Sequence, residues 1–164
     1  MTCGFRTNTT RISARAVILL ELLLCALIVA PAPAAADDSD IDVGIRAFKD
    51  ICIASAPSFA NGDQLAKKYG VETWLPLGKE KMGMTKDSSL SVQIKPGKEC
   101  AITTPTRPGA TVHTQFMNAL INTAKPGAIK EETSFRFSGA IGGKKYIFGH
   151  VRHDGEAYIM SPKN

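Results

Sequence analysis

The sequence is short of most features on which a functional assignment rests. It has three histidines, four cysteines and one tryptophan among 164 residues. It has no Gly-x-Ser-x-Gly elbow, no Cys-x-x-Cys pair and no Gly-x-x-x-x-Gly-Lys-Ser/Thr loop, so the usual signatures of hydrolases, redox thiols and nucleotide binders are missing. Like charges run no further than pairs such as Lys67-Lys68 or Lys144-Lys145, which leaves no cationic stripe for a nucleic acid. Long apolar runs are also lacking. The best, Ala16 to Ala30, is about 15 residues and is interrupted by Glu21, whereas a membrane-spanning helix needs roughly 20.

What is present begins with a leader. Arg6, Arg11 and Arg15 precede that short apolar run, Pro31-Ala32-Pro33 breaks it, and Ala34-Ala35-Ala36 supplies small residues before Asp37. The pattern reads as a signal peptide over residues 1–36, cleaved to release a periplasmic or secreted domain over residues 37–164. A retained anchor or lipidation at Cys25 are the competing readings; Leu22-Leu23-Leu24 puts bulk where a lipoprotein signal is small. Removing those 36 of 164 residues leaves 128, enough for one domain with its own core. The leader takes three arginines and one glutamate with it, which lowers the net charge from +5 to +3. Two cysteines also leave, and the remaining pair, Cys52 and Cys100, reads as a disulfide in an oxidising compartment.

Periodicity predicts a helix over residues 42–54, capped by Ser39 or Asp40, with Ile41, Ile45, Phe48, Ile51 and Cys52 inward. Pro57 ends it, and Ser58 is positioned to cap a shorter helix with Leu65, Ala66 and Tyr69 inward and Gly70 as terminator. Residues 71–89 read as a long irregular connection. Strands follow over 89–94 and 99–104, joined by a Pro96-Gly97 turn. A helix over 110–124 should bury Val112, Phe116, Met117, Leu120 and Ile121. The end of the chain reads as a three-stranded meander: Phe135, Phe137 and Ile141 on one strand, a Gly142-Gly143 turn, residues 146–152, an Asp154-Gly155 turn, then 157–160. The expected fold is α+β, an antiparallel sheet of about five strands covered by two N-terminal helices and one central helix, without internal repeats.

Several side chains carry candidate chemistry. His150, His153 and Asp154, with His113, suggest a metal, but strand residues three apart face opposite ways, so solvated hairpin histidines are the expectation. Met82-Gly83-Met84 offers two thioethers, fewer than a soft-metal site needs. Glu131-Glu132 diverge as neighbours and do not make a glycosidase pair, and Gly142-Gly143-Lys144-Lys145 lacks the context of a phosphate loop. No catalytic residue, metal or cofactor is expected. Residues 71–89 hold the only tryptophan, and Trp74, Leu77, Met82 and Met84 are the candidate binding loop; the alternative is that Trp74 and Leu77 plug the core.

Phe48-x-x-x-Cys52, Pro57, Leu65, Gly70 and the later Cys100 together resemble a family of small exported bacterial proteins of unknown function. The resemblance implies a signal peptide and a cysteine pair, and carries no catalytic residue across. The expectation is a non-catalytic binding module at the cell envelope, meeting an envelope protein or small ligand, with neither nucleic acid nor stable membrane insertion. The alternatives are a small hydrolase of envelope polymers with His113 or His150 as base, and an inhibitor of a periplasmic enzyme. A histidine clustered with an acid and a serine would favour the hydrolase.

Overall fold

The computed structural model describes residues 41–125 and 127–163. The leader and both expected caps, Ser39 and Asp40, lie outside the described residues. Asp42 caps α1 (Val43–Ala47) instead, its carboxylate accepting from the Gly44 amide at 2.8 Å. The helix widens into a π-helical stretch, Phe48–Ile53, which buries Phe48, Ile51 and Cys52. A short α2 (Gly62–Ala66) tightens into a 3₁₀ turn, Lys67–Tyr69, and Gly70 ends it in the left-handed conformation. Ser58 is not its cap; that position falls to Asn61, whose side chain makes no capping bond.

The sheet corrects the expected strand count. It has eight antiparallel strands, not five: β1 (Thr73–Leu77), β2 (Glu80–Met84), β3 (Ser91–Lys95), β4 (Glu99–Thr104), β5 (Lys130–Thr133), β6 (Arg136–Ile141), β7 (Lys144–Val151) and β8 (Glu156–Pro162). Three were misjudged. Residues 71–89 form the β1–β2 hairpin rather than a loop, because Pro76, Gly78 and Gly83 masked its alternation. Polar β5 carries no apolar signal at all. Between β4 and β5 lies α3 (Thr111–Thr123), which buries Val112, Phe116, Ala119 and Leu120 but leaves Ile121 exposed, against expectation. Phe135 is exposed too, because it sits in the β5–β6 turn and not on a strand.

The strand order β1-β2-β3-β4-β8-β7-β6-β5 joins two four-stranded meanders through the β4–β8 pair. Each meander follows helix, so the architecture repeats where the sequence does not. A tight glycine recurs in the second strand of each. A Cβ on Gly83 would overlap Val71 and the Trp74 ring, and one on Gly139 would overlap Ile129.

One face of the sheet is buried under the helices. Val92 and Ile94, Cys100 and Ile102, Tyr158 and Met160, Tyr146 and Phe148, and Phe137 meet Ile45, Phe48, Ile51, Phe116 and Leu120. Phe48 contacts Phe116 edge-on at 5.4 Å between centroids, and Tyr158 lies beneath both. The Cys52–Cys100 disulfide ties the π-helical stretch to β4 across a Cα separation of 5.4 Å. Among the described residues, no helix is long and apolar enough to cross a membrane.

Candidate functional site

The alternation Tyr146-x-Phe148-x-His150 places His150 on the covered face of β7. There it is fully buried, which overturns the expectation of a solvated hairpin histidine. Across the β7–β8 hairpin, Glu156-x-Tyr158-x-Met160 does the same for a carboxylate with no exposure. A buried glutamate persists only when paired and hydrogen-bonded, and Glu156 is both. It accepts from His150 Nε2 at 2.8 Å, from Arg152 Nε at 2.9 and 3.1 Å, from Arg152 Nη2 at 3.0 Å and from the Arg107 amide at 3.1 Å.

The chain of bonds continues away from the carboxylate. His150 Nδ1 lies 2.9 Å from His113 Nδ1, in the first turn of α3. Because Glu156 takes the proton of His150 Nε2, neutral His150 presents a lone pair at Nδ1, and His113 donates its own Nδ1–H to it. Tyr158 stacks on His150 at 5.0 Å, and its hydroxyl reaches Asp42 at 3.4 Å. Arg152 Nη2 also donates to the Arg107 carbonyl at 2.8 Å. The Arg107 Nε lies 3.3 Å from Asp42, near enough for attraction but misaligned for a hydrogen bond. The cluster thus fastens α1, the β4–α3 connection, α3 and the β7–β8 hairpin to one carboxylate.

Burial sets the electrostatics. It holds His150 below its ordinary pKa, and the nearby His113 and Arg152 push the same way against the opposing pull of Glu156. Burial would raise Glu156, but Arg152, the Arg107 amide and His150 outweigh it and hold the carboxylate below its usual range. Burial, with Asp42 and Glu156 adding to it, pushes the Tyr158 phenol up, so it stays protonated.

An imidazole held by a carboxylate can serve as a base toward a neighbouring hydroxyl or thiol. Among the described residues, no serine, threonine or cysteine side chain bonds either imidazole, and no group of three or more His, Cys, Asp and Glu side chains is arranged to hold a metal. His153 stands apart, exposed in the hairpin turn 2.9 Å from Asp154. Glu131 and Glu132 lie on the exposed β5 edge, and Gly142-Gly143 forms the β6–β7 turn with positive φ at both residues.

The four candidate binding residues divide between the two faces of the sheet. Trp74 pairs with Gly83 on the covered side, packs against the core and carries the Lys81 ammonium 5.5 Å from its ring. Leu77 and Met82 point the other way, onto the face that none of the described helices covers, and pairing brings Leu75 and Met84 beside them. Leu75, Leu77 and Met84 are 55%, 48% and 40% exposed. From Leu75 and Met82 this uncovered face continues through Gln93, Ala101, Ile159 and Gly149 to Arg136.

Both edges of the sheet are blunted. Pro76 sits in β1, and β5 is charged, fully exposed and bulged between Glu131 and Thr133. Of the cluster, Glu156, Arg152, Arg107, Asp42 and Tyr158 were missed from sequence, as was Leu75 on the hairpin. A period-2 reading of β7 and β8 would have signalled Glu156, since it puts His150 and Glu156 inward together. Comparison of the chain with protein-family models, with curated proteins and with solved structures finds no match.

Proposed function

We propose that this chain is an exported, non-catalytic binding module that meets a protein at the cell envelope through the uncovered sheet face at its β1–β2 end. The carrying observation is the quartet of exposed Leu75, Leu77 and Met84 with half-buried Met82, grouped on one face of a hairpin that no described helix covers. Grouped exposed apolar side chains mark contact surfaces, whereas single ones do not. Blunted edges disfavour strand addition, which leaves the face for contact. Export is part of the proposal. The leader pattern supports it, and so does the Cys52–Cys100 bridge, because such bonds persist in oxidising compartments. The hydrolase alternative has a His150–Glu156 pair to draw on, but no hydroxyl partner among the described residues.

A photo-crosslinking residue at position 75, with a control at exposed Ile121 on α3, tests the surface in living cells. A discrete adduct from position 75 alone is the expected result. No adduct, or equal adducts from both positions, would overturn the proposal.

A further inference from the structure

The two stacked imidazoles have a role that surface binding does not use. His113 bonds α3 to the β7–β8 hairpin, where its Nδ1 faces the Nδ1 of a fully buried His150 at 2.9 Å. Only one proton fits between two such nitrogens. We propose that the His113–His150 pair is an acid-operated clasp that holds α3 on the β7–β8 hairpin and releases it when a second proton enters the pair.

The surroundings decide which proton is tolerated. A first proton can occupy the other nitrogen of His113 and leave the Nδ1–Nδ1 bond intact, since His113 still donates. The next must sit on His150 Nδ1, where it confronts the His113 Nδ1–H. Nothing around His150 relieves that clash. On β8, Glu156 already receives His150 Nε2, Arg152 and the Arg107 amide, and Tyr158 offers a ring face and a protonated hydroxyl. Arg152 from the hairpin and Arg107 from the β4–α3 connection add positive charge. Asp42, at the start of α1, is engaged by the Gly44 amide, Tyr158 and Arg107. His153 and Asp154 pair with each other in the exposed turn. Relief comes only by separating the rings.

The separation is local because the two halves of the fold are fastened differently. The disulfide keeps the π-helical stretch on β4 whatever the pH, whereas α3 relies on packing, on the bond that Gln115 Oε1 accepts from the Asp42 amide at 3.0 Å, and on this clasp. One proton excluded from the closed state, and bound in the open state near the ordinary histidine value, raises opening about tenfold between about pH 7.5 and 5.5.

Hydrogen exchange of the oxidised protein at those two pH values, corrected for intrinsic rates, tests this. Amides of α3 should open about tenfold more at the lower pH, and at both pH values should open at a lower free energy than those of β3 and β4. In His113→Gln the amide can donate to His150 or, flipped, accept from it, so α3 should open equally at both pH values. No rise in α3, α3 amides that open no more readily than those of β3 and β4, or a rise that persists in H113Q would overturn the clasp. Should H113Q loosen α3 at both values, imidazole nitrogen spectra of the unaltered protein decide. Protonation of His150 Nδ1 in step with α3 exchange supports the clasp, and protonation at a different pH refutes it.

Discussion

Replacing Glu156 with glutamine preserves its shape and removes its charge, which isolates what the buried carboxylate does. The side chain has no exposure and receives His150 Nε2, Arg152 and the Arg107 amide. Glutamine turns an NH₂ toward one set of these donors and leaves the Arg152 guanidinium without a counter-charge. Breaking a buried ion pair from one side costs about 3–5 kcal/mol. Arg152 keeps 28% exposure and regains some hydration, so the low end, about 3 kcal/mol, is the expected loss. For a domain of this size that corresponds to a fall in Tm of roughly 10 °C. Calorimetry of oxidised wild type and E156Q near neutral pH measures it. The sign of the pH dependence follows from the depressed pKa of Glu156. Its stabilisation is fully present above the usual glutamate range and disappears as pH falls through the lower folded value, so the gap between the two proteins should close in acid. A loss below about 1 kcal/mol, or a gap indifferent to acid, would refute the view that this carboxylate anchors the fold.

Three further outcomes are expected. Cys52→Ser with Cys100→Ser, which opens a sequence separation of 48 residues, should cost about 4 kcal/mol in denaturant unfolding, with the reduced wild type behaving alike. Gly83→Ala forces a methyl group into Val71 and the Trp74 ring, at about 1–3 kcal/mol; Trp74 is the chain's only tryptophan, so its emission should shift in the same variant. Burial that holds His150 below its ordinary pKa makes the fold lose stability as pH falls through the unfolded-histidine value of about 6.5, and an H150Q baseline should lack that step.

The fold was partly legible because apolar periodicity carries most of the signal. Ile45, Phe48, Ile51 and Cys52 gave the first helix, Val92 and Ile94 a strand, and Phe116 and Leu120 the face of α3. The α+β class and the Cys52–Cys100 bridge followed from such residues. The β1–β2 hairpin was obscured because the residues that make it work break the pattern: Gly83 is there to admit Trp74, and Pro76 to blunt an edge. Strand β5 has no buried side chain, and so nothing for periodicity to detect. The buried cluster was hidden for a different reason. Glu156 and His150 are polar residues at core positions; besides each other and the nearby Arg152 they use His113 and the Arg107 amide, 37 and 49 residues away, which sequence spacing cannot supply.

The most direct test of the proposed contact surface uses the methionines already on it. Met84 lies on the uncovered face and Met117 on α3, so dilute peroxide followed by mass spectrometry gives a ratio of their oxidation rates that is insensitive to the amount of oxidant. In isolated protein Met84 should react faster. Adding envelope extract should lower the Met84 to Met117 ratio about threefold or more as a partner covers the hairpin face. A ratio unchanged by extract, at any protein concentration, would contradict the account.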